Sequence, residues 1–328
     1  MKKILAFVFT VMITLSLTGC EGKPKASPIM TSREDGVIEL ASYGSYGNRK
    51  MRFITVDNDG FIYFDNVDVV CRIDLYNRIE VFVDGLDFCR GVTAVNDMIY
   101  VFDTREGPHE ELYMLRYNLQ GLLIDETVIP LHDDFPDIGY YDCFVFREVP
   151  FVCIRVAFTD FYLYNIETGT LNPLDMGEEE DDEEDEEDEK PKIAGFHIQM
   201  YPLADKRLIQ MPVRDFSENT VDGGFILTLD ENGNVKKTDF NPDWPHVTFI
   251  VHDLYGKSDY GLGNGKGADF GQVASLIKGG DAEILTVLST KPADHIMWGN
   301  NNTRIYNNCL YVLSTMKDPA TITVRHIP

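Results

Sequence analysis

Asp57, Asn58, Asp59 and Gly60 stand in the order that opens a calcium-binding loop, with two acids one residue apart and a following glycine. An EF-hand loop closes its oxygen shell with a bidentate Glu at the twelfth position. Counting from Asp57, that position is Asp68, and the segment between them has the composition of a strand. We therefore interpret the four residues as a hairpin turn in which Gly60 supplies the positive φ. We expect no cofactor, with Ca²⁺ as the one exception left open.

Two tryptophans and a glycine-rich segment are the residues best suited to contact a ligand. Trp244 and Trp298 lie beside residues typical of loops, and an exposed indole can stack on a sugar or a partner chain. Gly263 and Gly265 belong to the run 261–267, which has glycine at every second position and which we interpret as an exposed loop. We predict these four residues as ligand-binding. The alternative for each tryptophan is burial in the core.

The spacing of the other reactive side chains assigns no catalytic or metal-binding residue. No serine lies in a G-x-S-x-G elbow. His246 and His252 could share one face of a strand, but a zinc site needs a third ligand that the sequence does not supply. The tripeptide GKS at 256–258 is similar to the end of a phosphate-binding loop, but Val251 stands where that loop needs its first glycine.

The body of the chain contains five cysteines, namely Cys71, Cys89, Cys143, Cys153 and Cys309. Their number is odd, so at least one thiol has no partner within this set. Because none forms a C-x-x-C pair, a structural zinc site is not expected. Two alternatives remain open from the sequence. The cysteines are small buried apolar residues, or disulfides join Cys71 to Cys89 or Cys143 to Cys153 across neighbouring strands.

Twelve consecutive acidic residues occupy positions 178–189. So many like charges cannot pack together, and we predict a disordered, solvated insertion over about 177–191. The insertion is a spacer that adds solubility, a weak Ca²⁺ sponge or a contact for a basic partner. The whole chain has a formal net charge of −25 at pH 7, which repels phosphate backbones and excludes nucleic acid as an expected partner.

The first twenty residues have the order of an export signal. Two lysines at positions 2 and 3 precede an apolar run over 4–17. This run is too short to span a membrane, because a spanning helix needs roughly 20 apolar residues. The run ends in Leu17-Thr18-Gly19-Cys20.

This motif resembles the lipobox of bacterial lipoproteins. The resemblance implies that residues 1–19 are a signal peptide cleaved between Gly19 and Cys20, and that the Cys20 sulfur receives lipid. Two or more fatty chains, such as palmitate, hold a protein stably on a membrane. The resemblance therefore implies a lipid-anchored protein on the extracytoplasmic face of the bacterial cell membrane or outer membrane. Residues 20–36, rich in Pro, Lys and small residues at their start, then form a flexible tether.

Short apolar segments separated by turn residues fill residues 37–328. Most have four to six residues and are rich in Val, Ile, Phe and Tyr, which predicts an all-β fold. Glycine stands where a tight turn needs a positive φ in the turns at 57–60, 118–121, 167–169 and 230–233. The segment 270–278 is the one stretch that we predict as a helix.

A weak repeat predicts how these strands are arranged. An apolar pair with Tyr after a turn recurs at 59–64, 96–101 and 307–312, and strand-turn-strand phrases recur at 112–124, 161–174 and 225–238. These phrases resemble blades of NHL or TolB-like β-propellers. The resemblance implies one propeller domain over 37–328 with six four-stranded blades, with seven blades or a large β-sandwich as alternatives. We expect a strand at 37–41 to complete the last blade.

Together these features predict a membrane-anchored extracytoplasmic lipoprotein whose propeller binds or scaffolds a protein or glycan. The alternative is an extracytoplasmic propeller enzyme, a hydrolase or lyase that a metal could assist. Such an enzyme would bring two or more Asp, Glu, His or Asn side chains together at the mouth of the channel. A third hypothesis is a structural partner in an envelope complex.

Overall fold

A computed structural model describes the chain as a series of β-strands joined by turns. The described residues are 34–40, 51, 53–105, 111–131, 141–156, 160–174, 198–202, 207–212, 224–240, 247–253, 260–263, 274–278, 283–289, 303–306, 308–315 and 319–327. No helix occurs among these residues.

Each sheet consists of four consecutive antiparallel strands, except that the first strand of the chain, β1 (Gly36–Leu40), joins the last sheet. Sheet I contains β2 (Ile54–Val56), β3 (Ile62–Asp65), β4 (Val70–Ile73) and β5 (Ile79–Val83). Sheet II contains β6 (Cys89–Val95), β7 (Met98–Arg105), β8 (Glu111–Asn118) and β9 (Leu123–Ile129). The remaining sheets are numbered in the same way, four strands at a time. Sheets III and IV contain β10 (Tyr141–Val145), β11 (Phe151–Val156), β12 (Asp160–Asn165), β13 (Thr170–Pro173), β14 (Ile198–Pro202), β15 (Arg207–Pro212), β16 (Gly224–Leu229) and β17 (Val235–Phe240). Sheets V and VI contain β18 (Val247–Asp253), β19 (Tyr260–Gly263), β20 (Ala274–Lys278), β21 (Glu283–Ser289), β22 (Thr303–Tyr306), β23 (Cys309–Ser314) and β24 (Ala320–His326).

The N-terminal strand completes the C-terminal sheet. β1 pairs with β24 in antiparallel register, with Gly36 opposite Val324 and Leu40 opposite Ala320. Sheet VI therefore has the order β22-β23-β24-β1. The strand expected at 37–41 is present, shifted by one residue, and it has the role that the repeat predicted.

The first strands of the sheets are the inner strands of a propeller. β2 lies against β6 and β22, and β18 lies against β14. β18 also pairs in parallel with β22, with His252 opposite Arg304, which joins sheets V and VI into one eight-stranded sheet. The fold is thus an all-β propeller, as predicted, and the sandwich alternative is wrong. The blade count of six stays a prediction, with seven as its alternative.

The hydrophobic core lies between neighbouring sheets. Ile62 and Phe64 belong to a cluster shared by sheets VI and I, whereas Tyr63 and Val70 belong to one shared by sheets I and II. Alternate residues of a strand point to opposite faces. Because both faces of sheet I are covered, β3 is buried at every position. Similar clusters lie between sheets II and III and between sheets III and IV.

The predicted helix at 270–278 is wrong where the structure describes it. Residues 274–278 form β20, which pairs with β19 on one side and β21 on the other. A central strand needs no alternation of apolar and polar residues when both of its faces are covered. Its short apolar stretch cannot be distinguished from a buried helical turn by periodicity alone.

The exposed loop predicted at 261–267 is also wrong in its first part. Gly261 and Gly263 lie in β19, where Gly263 is opposite Val247 of β18 and Ser275 of β20. Backbone pairing on both sides outweighs the preference of glycine for turns, because the ladder of hydrogen bonds needs no side chain. Gly265 lies outside the described residues.

The structure decides between the two alternatives for the body cysteines, since all five are buried thiols that form no disulfide. Cys143 is opposite Ile154, and Cys153 is opposite Phe144, so the two thiols point to opposite faces of sheet III. Cys143 packs between sheets II and III, and Cys153 packs between sheets III and IV. Cys71 and Cys89 are likewise in different clusters. The alternative, small buried apolar residues, is the one that the structure confirms.

Candidate functional site

The two ends of the propeller differ in the length of their connections. At the end where first strands meet second strands and third strands meet fourth strands, the longest connection between described strands is 254–259. We call this the turn end. At the opposite end, six connections have ten or more residues, namely 41–53, 130–140, 174–197, 213–223, 264–273 and 290–302. We call this the long-connection end.

One device builds the tight turns at the turn end. An Asp or Asn at the close of a strand accepts two backbone N–H groups with its side chain, as Asp57 does from Asp59 and Phe61, both at 2.9 Å. The residues that repeat this arrangement after later strands are Asp74, Asn118, Asn165 and Asp230. The side-chain oxygen replaces a backbone acceptor. The hairpin interpretation of 57–60 is therefore confirmed.

Asp57 differs from the other turn residues because it is buried. Its second carboxylate oxygen accepts a 2.9 Å hydrogen bond from the Tyr63 hydroxyl. Removal from water raises the pKa of Asp57 to about 6, although hydrogen bonds from Phe61, Tyr63 and Asp59 favour the charged form. A carboxyl with this pKa changes its charge in mildly acidic solution.

Hydrogen bonds link the turns of successive sheets at the turn end. The Tyr306 hydroxyl of sheet VI donates to the carbonyl of Asn58 at 2.6 Å. The Asn58 side chain donates to Asp97 of sheet II at 3.0 Å, and Asn96 donates to the carbonyl of Arg147 in sheet III at 3.4 Å. Four sheets are thus tied together through their innermost turns.

At the long-connection end, buried carboxylates hold the backbone that enters the inner strands. Asp65 at the end of β3 accepts the N–H of Phe53 at 2.6 Å, and Asp103 in β7 accepts the N–H of Phe88 at 2.9 Å. Burial raises the pKa of Asp103, and its ion pair with Arg105 opposes that shift. Sheets I and II therefore use the same arrangement, one carboxylate to fix the entry of one inner strand.

Sequence reasoning missed these two carboxylates. Ile62-Tyr63-Phe64-Asp65 in β3 matches Ile99-Tyr100-Val101-Phe102-Asp103 in β7, apart from one inserted residue. The repeat phrases at 59–64 and 96–101 end before these acids. The Asp that closes both strands is the sequence signal that identifies the pair.

A β-bulge places a buried arginine beside Thr104 of β7. The register of β6 and β7 shifts between Cys89 and Gly91, so Arg90 is the additional residue. Its Nε donates to Thr104 Oγ1 at 2.8 Å, and its guanidinium lies 4.0 Å from the centre of the Phe88 ring. Stacking on an aromatic ring and a hydrogen bond together hold this cation in place.

Two contacts show how closely the inner strands approach one another. A Cβ atom added to Gly91 of β6 would lie 2.1 Å from the carbonyl oxygen of Cys143 in β10, so only glycine fits there. Thr55 of β2 accepts the N–H of Ala94 in β6 at 3.1 Å.

A second buried arginine, Arg304, lies on β22, and desolvation lowers its pKa to about 10.

The turn between β3 and β4 is strained and polar. Val67 has a φ of 66°, which a β-branched residue rarely adopts. The neighbouring Asn66 is fully buried, and neither polar atom of its side chain has a hydrogen-bond partner among the described residues. Strain and buried polarity together mark this turn as a place where packing of the surrounding sheets imposes the conformation.

The predicted ligand-binding residues are related by the strand order. Gly263 is the last residue of β19, at the long-connection end. Trp244, Gly265 and Trp298 lie outside the described residues, in the segments between β17 and β18, β19 and β20, and β21 and β22. The described strand ends that border all three segments lie at the long-connection end.

The other predicted sites also lie outside the described residues. They are Gly19, Cys20, the tether up to residue 33 and the acidic run at 178–189. Among the described residues, no group of three or more His, Cys, Asp and Glu side chains is arranged to hold a metal ion. No helix in the described part of the chain is long and apolar enough to cross a membrane.

Comparison with known proteins identifies relatives in structure alone. No protein-family model matches the sequence, and no curated protein matches it. A gluconolactonase from Xanthomonas campestris is similar in structure, with a TM-score of 0.51, 10% sequence identity and 89% of each chain covered. At this identity the likeness supports the propeller fold and carries no information on activity.

Two further solved structures have lower scores. One is a TolB-like protein from Agrobacterium tumefaciens, with a TM-score of 0.43, 15% identity, and 85% of this chain and 90% of that chain covered. The other is an oligogalacturonate lyase in complex with manganese, with a TM-score of 0.45, 11% identity, and 84% of this chain and 76% of that chain covered.

Proposed function

We propose that this protein is a lipoprotein held on the extracytoplasmic face of a bacterial membrane, and that its propeller binds or scaffolds a protein or glycan at the long-connection end. The observation that carries the binding part is the difference between the two ends. The turn end consists of short turns, tied together by hydrogen bonds, whereas the six longest connections all leave the opposite end. Variable connections on a rigid scaffold are where proteins most often bind their partners.

The residues suited to the ligand support this assignment. Trp244 and Trp298 belong to connections that leave the long-connection end, and Gly263 closes the strand that precedes a third connection. An indole presents a large rigid face for a sugar ring or for an apolar side chain of a partner. We therefore propose the two tryptophans as the main contacts of the ligand.

The anchoring part rests on Cys20 and on the segment that follows it. Two fatty chains on one cysteine give stable membrane attachment, at about 0.8 kcal/mol for each buried CH₂ group. Fifteen chain steps separate Cys20 from Asp35, the second described residue, and an extended chain spans at most about 3.3–3.6 Å for each step. The tether thus allows the propeller up to about 50 Å of reach from the bilayer.

Photo-crosslinking in the native envelope tests the binding part. A photoreactive amino acid is placed at position 244 or 298, and at the exposed Glu231 of the turn end as a matched control. We expect crosslinks to one protein or glycan from positions 244 and 298 and none of the same product from position 231. Purified soluble peptidoglycan fragments then test glycan binding directly, through a rise in melting temperature that Trp244→Ala and Trp298→Ala abolish.

Two results would contradict the binding proposal. The first is the same crosslinked product from position 231 as from positions 244 and 298. The second is chemical turnover of a fragment by the purified protein, which would favour the enzyme alternative. Anchoring is tested separately, by replacing Cys20 with serine and following the protein between membrane and soluble fractions. We expect the serine variant to leave the membrane fraction, and its retention there would contradict lipid attachment.

A further inference from the structure

Exposed apolar side chains collect on one part of the described surface. Among the residues whose side-chain exposure the structure describes, which lie mainly in sheets I, II, III and VI, large apolar side chains that face solvent occur in sheets VI, I and II. Six of them lie in the half of their sheet nearest the turn end, namely Val37, Leu75, Tyr76, Leu122, Leu123 and Ile124. Tyr76 is 81% exposed and Leu122 is 63% exposed. Apolar groups grouped in this way, on a protein with a net charge of −25, indicate an interaction surface.

The two turns that carry half of these residues are neighbours. Leu75 and Tyr76 belong to the turn between β4 and β5, and Leu122 belongs to the turn between β8 and β9. Nη1 of Arg72 in sheet I donates to the carbonyl of Leu119 in sheet II at 2.6 Å. A Cβ added to Gly121 would also lie 3.5 Å from the Phe82 ring. At the turn end, the edges of sheets I and II therefore form one continuous surface, which we call the rim.

The N-terminal segment reaches the propeller at the same end. β24 ends at His326 at the turn end, where its N–H and its ring nitrogen Nδ1 lie 2.6 Å and 2.7 Å from Oδ1 of Asp35. Gly36, the first residue of β1, is opposite Val324. The tether from Cys20 thus joins the body at the turn end of sheet VI, whose neighbour is sheet I.

These observations point to one occupant. We propose that the rim around Tyr76, Leu122 and Ile124 seats the turn end of the propeller on the lipid bilayer to which Cys20 is attached. The inference rests on the lipid anchor of the proposed function. A tether that joins the body at the turn end keeps this rim at high effective concentration near the bilayer, so weak apolar contacts suffice. Tyr suits the interface because one end is apolar and the other is polar.

Charge supports the same orientation. Arg78 is largely exposed beside Tyr76, with its guanidinium 5.4 Å from the ring. Its Nε is paired with Asp74 at 2.6 Å, and its other N–H groups could donate to a lipid phosphate. The acidic run belongs to the connection between β13 and β14, which leaves the long-connection end. The twelve carboxylates therefore follow strand ends that point away from the bilayer, and the long-connection end remains open to a ligand.

The test uses the mature acylated protein in vesicles of phosphatidylethanolamine and phosphatidylglycerol. Leu122→Cys is labelled with an environment-sensitive fluorophore, and Asp84→Cys, exposed at the opposite end of sheet I, is its matched control. We expect the label at position 122 to shift its emission to the blue and to be quenched by lipids brominated near the headgroup. The label at position 84 should emit as in water. Flotation with the vesicles is measured in the same samples.

The outcomes separate the two proposals. Protein that floats with vesicles while position 122 emits as in water would overturn membrane docking and leave the anchor intact, and a protein partner would then be the better occupant. Protein that does not float would contradict the anchor itself. As a second measurement, the label is placed at position 123 through Leu123→Cys, where it should also show a blue shift. Adding Tyr76→Ser, Leu122→Ser and Ile124→Ser should leave flotation unchanged and abolish this blue shift. A blue shift that persists in this variant would also overturn the proposal.

Discussion

The hydroxyl of Tyr63 donates a 2.9 Å hydrogen bond to the buried carboxylate of Asp57, across the first hairpin of the propeller. The same carboxylate accepts two backbone N–H groups of the turn, and the next residue, Asn58, receives the hydroxyl of Tyr306 from sheet VI. One buried acid thus organises the turn through which the last sheet contacts the first.

Asp57 should make stability depend on pH between about 4 and 6. Its folded pKa is raised to about 6, from 3.8 in an exposed carboxyl. The protonated acid therefore favours the folded state, and this contribution is present below pH about 4 and is lost as the pH rises through 6. Between pH 4 and 6 the free energy of unfolding of Asp57→Asn should therefore fall by less than that of the wild type. The difference between the two decreases should be up to about 3 kcal/mol. Denaturant titrations at pH 4, 5, 6 and 7 measure the difference.

The exposed Asp84 provides the control for this prediction. Asp84→Asn should follow the pH curve of the wild type. Parallel curves for Asp57→Asn and the wild type would show that the buried carboxyl ionises at its ordinary pKa, and would contradict the prediction.

Gly91 should be indispensable where inner strands meet. An alanine Cβ at this position would lie 2.1 Å from the Cys143 carbonyl oxygen, which is backbone and cannot turn aside. Gly91→Ala should therefore lower the free energy of unfolding by about 2–4 kcal/mol. Gly36→Ala is the control, because no atom lies within 4 Å of its added Cβ, and its effect should stay within about 0.5 kcal/mol. Equal melting temperatures for the two variants would contradict the close approach.

The strands and turns of the propeller can be predicted from the sequence where local chemistry decides the structure. The turn at 57–60 was predictable because Asp57 and Gly60 each meet a requirement of the backbone, a side-chain acceptor and a positive φ of 84°. The apolar runs 79–83 and 151–156 lie between turn signals in the sequence, and they form β5 and β11 with the same bounds. The closing strand followed from the repeat.

The features that the sequence does not predict depend on contacts between residues that are distant in sequence. The segment that contains β20 predicts a helix because its pairing with β19 and β21 cannot be read from the five residues of the strand itself. The sequence of β22 does not predict a buried strand, because it contains Arg304, and arginine is usually exposed, whereas here it is buried on an inner strand. The carboxylates Asp65 and Asp103 bind backbone groups 12 and 15 residues away, a separation that no local rule specifies.

The buried cysteines should be unreactive until the protein unfolds. Burial raises the pKa of Cys71 to about 12, and the thiolate is the reactive form. The mature acylated protein should therefore give almost no reaction with a thiol reagent at pH 8, and five thiols should react after denaturation. Leu122→Cys is the positive control, because it adds one exposed thiol that should react at once. Peptides linked between Cys71 and Cys89 under non-reducing conditions would contradict the reduced state.

The acidic run should be dispensable for folding. Deleting 178–189 leaves 174–177 and 190–197 to join β13 to β14, and the sequence predicts that the deleted residues make no packed contact. The melting temperature should change by less than about 2 °C. A loss of cooperative unfolding would contradict this expectation and would mean that the run supports sheets III and IV.

Calcium binding distinguishes a spacer from a cation sponge. A run of carboxylates without a preformed cage can bind Ca²⁺ only weakly, because each ion must order the chain around it. Titration calorimetry with Ca²⁺ should give weak binding to the wild type if the run is a sponge. It should give none to a variant in which Gly and Ser replace the same twelve residues at the same length. Equal binding by both proteins would place the cation elsewhere, since the replacement keeps the spacing and removes only the charge.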